Sequence, residues 1–102
     1  MNLINVKKSQ KIESMKTIIT YDITDKHVEF KEEMFHLGYI DKFVNSQKYV
    51  YLPNTTLIHS AKNAEQARDD AKRISLKLAV RLERCISTQF GPDWAGIFGE
   101  PF

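Results

Sequence analysis

The sequence predicts an α+β domain of order β-α-β-β-α-β, and three observations carry that reading. Lys16 to Ile23 (KTIITYDI) is dense in β-formers and gives way to apolar residues at helical spacing. An alanine-rich stripe of helical period begins at Ala64, and a second β-prone run, Leu82 to Phe90, follows it. The chain has 102 residues, of which 42% are hydrophobic, enough for one core and too few for several. With 11% aromatic residues and three prolines, disorder is excluded for most of it.

Each element has a local cause. Strand period two sets Ile19, Tyr21 and Ile23 on one face of the first strand, with Ile18, Thr20 and Asp22 on the other. Thr24 and Asp25 offer capping oxygens to a helix over Asp25 to Leu37, in which Phe30, Met34 and Leu37 recur at helical spacing and Gly38 supplies the stop. Tyr39 to Gln47 shows no clean period and reads as a loop or irregular turn. Lys48 to Leu52 and Thr55 to His59 are short β-prone runs around Pro53-Asn54, which predicts a hairpin. Asn63 and Gln66 have the spacing of a capping box, ahead of the stripe Ala64, Ala67, Ala71, Ile74 and Leu78. The tail carries Gly91, Pro92, Gly96, Gly99 and Pro101 around Trp94, Ile97 and Phe98, too punctuated for a long element but apolar enough to pack. Residues 1–14 are polar, with Lys7, Lys8 and Lys11 against Glu13, and read as a basic extension ahead of a domain over 15–102. That extension is either a phosphate-touching or subunit-touching arm or a frayed end.

The compact solution for this order is a ferredoxin-like antiparallel sheet, strand order 4-1-3-2, with both helices on one face. Its other face is left open, which predicts a homodimer joined through that face or through the edge strands and tail. The topology gathers Asp22 and Asp25, Asn54 to Thr56, and Arg81 to Arg84 at one rim. Alternation turns Asp22 toward the open face, where a two-fold axis would set it against its mate. Facing carboxylates repel unless a proton or a divalent cation such as magnesium or manganese lies between them, and such an ion activates water against a phosphodiester. The alternative is structural: Asp22 caps the following helix and Asp25 is solvated. Lys72, Arg73, Lys77, Arg81 and Arg84 span the helix end and strand start, either tracking phosphates of RNA or DNA or balancing Asp69, Asp70 and Glu83 on a solvated face.

The run Tyr21-Asp22-Ile23-Thr24-Asp25 resembles the opening motif of the small ferredoxin-like CRISPR-associated (Cas-two-like) proteins that partner the integrase during spacer acquisition. Leu52-Pro53-Asn54-Thr55-Thr56-Leu57-Ile58, then Asn63-Ala64 and Ala67-Arg68-Asp69, resemble the SinR-type branch of that superfamily, as does Asp93-Trp94-Ala95-Gly96. The likeness runs from Met15 to Ile97. It implies a ferredoxin-like homodimer in which Asp22 matches the aspartate assigned to metal binding and phosphodiester cleavage in nuclease members. Lys26 and His27 stand where an arginine often follows the motif, and the central hairpin also differs. The superfamily includes a ribonuclease toxin and nonenzymatic nucleic-acid clamps, so the resemblance leaves catalysis and binding as alternatives.

The expected function is metal-dependent endonucleolytic cleavage of RNA or DNA by a homodimer, catalysed through Asp22. The alternative is a noncatalytic dimer that binds nucleic acid or protein in a defence, mobile-element or toxin-antitoxin system. The net charge of +2 is too small to identify a polyanion by itself. Cys85 is the only cysteine, which excludes an internal disulfide and a cysteine-based zinc site and fits a reducing cytoplasm. No apolar run approaches a membrane span, and no apolar leader opens the chain. His27, His36 and His59 lack the spacing of a metal site, Cys85 reads as a packed residue, and Trp94 as a packing anchor or an interface residue rather than a base-stacking platform.

Overall fold

The computed structural model describes residues 16–101, so the expected extension over 1–14 lies outside the described residues. The described residues form an α+β domain with two helices and antiparallel sheets. The elements are β1 (Thr17–Ile23), α1 (His27–His36), β2 (Lys42–Asn45), β3 (Lys48–Tyr51), β4 (Thr56–His59), α2 (Ala64–Lys77) and β5 (Leu82–Gln89). One sheet has the order β4-β1-β5, and β2 and β3 pair as a separate ribbon.

The alternation in β1 sorts the molecule into layers. Ile19, Tyr21 and Ile23 are buried with Phe30 and Met34 of α1, Ala67, Ala71 and Ile74 of α2, and Leu57 of β4. Both helices therefore cover one face of the sheet, and the small side chains of α2 allow its close approach. The tilted rings of Tyr21 and Phe30 lie 4.6 Å apart at the centre of this layer.

Three expectations about the sheet are corrected. The stretch expected to be a loop holds β2, and Lys48–Tyr51 pairs with β2 rather than with the run after Pro53-Asn54. The turn is Ser46-Gln47, both at positive φ (52° and 67°), the geometry that matches strand twist in a two-residue hairpin. Neither residue is Gly or Asn, so the usual signal is missing. Further, the face opposite the helices is half covered. Phe43, Val50 and Leu52 pack with Ile58, Ile18, Phe90 and Trp94 over one end of it. Trp94 sits edge-on to Phe43 with ring centroids 5.0 Å apart, the packing role expected of it. Thr20, Asp22, Arg84 and Ile86 remain exposed at the other end.

Backbone chemistry sets the helix ends. The α1 start is later than expected: Lys26 is its N-cap at φ 58° without a side-chain cap, while the Asp25 carboxylate accepts from the Lys26 N–H. Asn63 and Gln66 form the capping box. Both helices close with paired reverse hydrogen bonds. Gly38 N–H donates to Phe35 C=O and Tyr39 N–H to Met34 C=O; Ala79 N–H donates to Leu76 C=O and Val80 N–H to Ser75 C=O. The left-handed residue is Gly38 in α1 but Ala79, at φ 58°, in α2. Ala79→Gly is expected to raise stability by about 0.5–1 kcal/mol, the left-handed penalty less the added unfolded-state freedom, as read from a urea midpoint at unchanged slope.

Candidate nucleic-acid interface

The rim convergence expected from topology is present. Tyr21 N–H donates to Thr55 C=O, Thr24 N–H donates to Arg81 C=O, and the Thr24 hydroxyl accepts from Arg81 N–H at 2.9 Å. These bonds tie the end of β1 to the starts of β4 and β5. Thr55 holds φ 57°, a strained value for a β-branched residue, with its N–H on the Asn54 carboxamide oxygen.

Asp22 points away from the helices, as alternation requires, and its side chain is about half exposed (51%). It caps no helix. Arg84, its cross-strand partner on β5, donates Nε–H to Asp22 Oδ2 at 2.7 Å. That hydrogen bond, with the carboxylate's attraction, raises the already high pKa of Arg84. The register shifts just beyond this pair, so that Ile23 faces Leu82 and Glu83 is the extra residue. Without this bulge, strict alternation from Cys85 would drive Glu83 under the helices. With it, Leu82 packs against the core and Glu83 stays exposed, facing Arg81 at 3.4 Å.

The five cations expected to track phosphates divide between two sides of α2. Lys72 and Arg81 line a groove between α2 and the open edge of β5, together with Arg68; Arg84 borders it, but its guanidinium is held by Asp22 on the opposite sheet face. Sequence reasoning missed Arg68, although its four-residue spacing to Lys72 places both on one helical face. Arg73 instead binds Asp70 at 2.9 Å, and Lys77 reaches Glu33 of α1 at 2.9 Å. Lys77 thus ties α2 to α1 while Arg73 pairs within α2, and neither lines the groove. Within it, Arg68 is paired with Asp69 at 2.9 Å and Lys72 has no ion pair among the described residues.

Among the described residues Asp22 stands without further metal-ligating side chains. It offers a single carboxylate already bonded to a guanidinium, and among the described residues no three His, Cys, Asp or Glu side chains gather to hold a metal ion.

The remaining candidates have structural surroundings. His59 Nδ1 accepts from Ala61 and Lys62 N–H, which leaves Nε2–H to donate to Leu37 C=O at 2.9 Å, so both ring nitrogens are committed to backbone. His27 and His36 are exposed at the two ends of α1. Burial pushes the Cys85 thiol up, the opposite of an activated nucleophile. Among the described residues no helix is long and apolar enough to cross a membrane. Comparison with protein-family models, with curated proteins and with solved structures yields no match for this chain.

Proposed function

We propose that this chain acts as a ferredoxin-like homodimer that binds RNA or DNA through its phosphates, with recognition rather than hydrolysis as its primary role. The groove between α2 and β5 carries the reading: Arg68, Lys72 and Arg81 line it, with Arg84 at its border, against one carboxylate, Glu83. Their ion pairs are exposed, and such pairs contribute only about 0–1 kcal/mol, so a polyanion can displace the carboxylates at little cost. The order β5-β1-β4, extended by the Ile40–Ile58 bridge on the outer edge of β4, supports a ferredoxin-like core with the β2–β3 ribbon added to it. The Tyr21 to Asp25 motif supports placement near the CRISPR-associated and SinR-type proteins. A cytoplasmic location suits the free Cys85.

Metal-dependent endonuclease activity is the second reading, favoured by one observation: Asp22 lies exposed on the uncovered end of the sheet face, where a dimer would set two copies together.

Labelled RNA and duplex DNA, titrated across salt concentrations, separate the readings. Binding is expected, and its log–log salt slope should become shallower by about 0.9 for each duplex-DNA phosphate that Arg68→Ala or Lys72→Ala no longer neutralises. Absence of salt-dependent binding to either polymer would reject the proposal. Incubation with magnesium or manganese tests the second reading: cleavage that disappears in Asp22→Ala, with binding retained, would establish it. Light scattering that reports a monomer at high micromolar concentration removes the dimer on which both rest.

A further inference from the structure

We propose that the outer face of the β2–β3 ribbon is a platform for single-stranded nucleic acid, with bases stacked on Tyr49 and Tyr51 and phosphates held by Lys42 and Lys48. None of these four residues lines the groove between α2 and β5, so the inference stands whether or not that groove binds a polyanion.

The register of the ribbon sorts its side chains. Residues opposite one another in a ladder project to the same side, and Lys42 faces Tyr51, Phe43 faces Val50 and Val44 faces Tyr49. Phe43 and Val50 are buried, packed with Ile58, Ile18 and Trp94 against the sheet. Lys42, Val44, Tyr49 and Tyr51 therefore share the opposite face, turned away from the core. Val44 is 63% exposed there and Tyr49 51%. Because the inner side is anchored, the outer rings are presented from a fixed frame.

Charge and ring geometry on this face point to a base-bearing polyanion. The segment Lys42 to Tyr51 (KFVNSQKYVY) carries two lysines and no carboxylate. Neither lysine makes an ion pair among the described residues, and Asp41, just before them, is neutralised by Lys31 at 2.9 Å. The Tyr49 and Tyr51 rings are inclined at 48° with centroids 6.1 Å apart, so neither stacks on the other. The Lys42 ammonium rests 5.3 Å and 5.8 Å from their centroids, so a group arriving from solvent reaches them. An exposed cation–π contact is weaker than base stacking, so a base displaces the ammonium and leaves it free for a phosphate. Asn45, Ser46 and Gln47, exposed at the turn, add hydrogen-bonding groups. Other polyanions fit less well. A duplex keeps its base faces within its own stack, and an acidic peptide would satisfy the lysines while leaving the rings without a flat partner.

The test measures anisotropy of fluorescein-labelled oligothymidine against the full chain, beside an abasic strand of equal length and charge, the thymidine strand annealed to its complement, and polyglutamate. Circular dichroism and thermal melting confirm the fold of each variant. The wild type is expected to bind oligothymidine at least about tenfold tighter than the abasic strand. Tyr49→Ala is expected to lose about tenfold for oligothymidine alone, while Tyr49→Phe, which keeps the ring, binds as the wild type does. Lys42→Gln should make the log–log salt slope for the single strand shallower by about 0.7. Arg68→Ala/Lys72→Ala tests the other groove separately, and the ratio between oligothymidine and the abasic strand should survive it. Equal binding of the base-bearing and abasic strands, or tighter binding of the duplex or of polyglutamate, would overturn the inference. So would full oligothymidine affinity in Tyr49→Ala; if that variant also turned a dimer into a monomer in light scattering, the face would belong to a second copy of the chain.

Discussion

Replacing Lys62 by Met is expected to destabilise the domain by about 3 kcal/mol, because it strips a buried carboxylate of its nearest cation. Asp70 is 5% exposed, beneath α2, and accepts from Tyr39 OH at 2.8 Å, from Lys62 Nζ and from Arg73 at 2.9 Å. Burial pushes the Asp70 carboxyl up, but hydrogen bonds from Lys62 and Tyr39, with the attraction of Lys62 and Arg73, outweigh it and leave the group below its ordinary value of 3.8. A lowered carboxyl contributes stability that is present above 3.8 and lost as pH falls through the folded value. Wild-type stability should therefore decline in that acid window. In Lys62→Met the decline shrinks, since burial is no longer outweighed to the same degree. Asp70→Asn should cost less, about 1–2 kcal/mol: it leaves no buried charge, retains an acceptor for Tyr39, and frees Lys62 and Arg73 to be hydrated. Urea denaturation of both variants at neutral and acid pH decides the matter. A Lys62→Met variant within about 0.5 kcal/mol of wild type would show that the network adds nothing to stability.

The same aspartate marks a limit of the sequence pattern. Read by charge, Asp70 groups with Asp69 on a solvated face, yet it lies three residues after Ala67 and four before Ile74, on the apolar stripe itself. A carboxylate at that phase has to be buried, and buried carboxylates require partners, so the signal is present in the sequence. What the phase does not reveal is that Tyr39 and Lys62, from distant segments, supply them. The helices and long strands are legible because each buries one clean face: Ile19, Tyr21 and Ile23 in β1, and Ala67, Ala71 and Ile74 in α2. In β2 only Phe43 is fully buried, so a strand of four residues offers no alternation to count. The Pro53-Asn54 pair does bend the chain, but between β3 and β4, which do not pair with each other. At the candidate interface, the orientation of Asp22 follows from alternation alone. Its capture by Arg84 depends on a cross-strand register that no local pattern encodes.

Gly38→Ala is expected to cost about 2–3 kcal/mol, and the contrast with Ala79 shows why. Both positions close a helix in the left-handed region, and any residue with a Cβ loses about 1–2 kcal/mol there. Ala79 already bears that cost. At Gly38, with φ 97°, an added Cβ would also lie 2.9 Å from His59 Nε2, closer than nonbonded atoms tolerate. The imidazole cannot swing aside cheaply. Its two nitrogens are bonded to Leu37 C=O and to the Ala61 and Lys62 N–H groups, and Tyr39 packs edge-on against it with ring centroids 4.7 Å apart. Steric conflict and backbone strain can be separated by a double-mutant cycle with His59→Ala, which removes the ring. If the clash contributes, the double variant is less destabilised than the sum of the two single ones by about 1 kcal/mol. Strict additivity would assign the whole cost of Gly38→Ala to its dihedral angle and would show that the His59 ring yields to the added methyl without penalty.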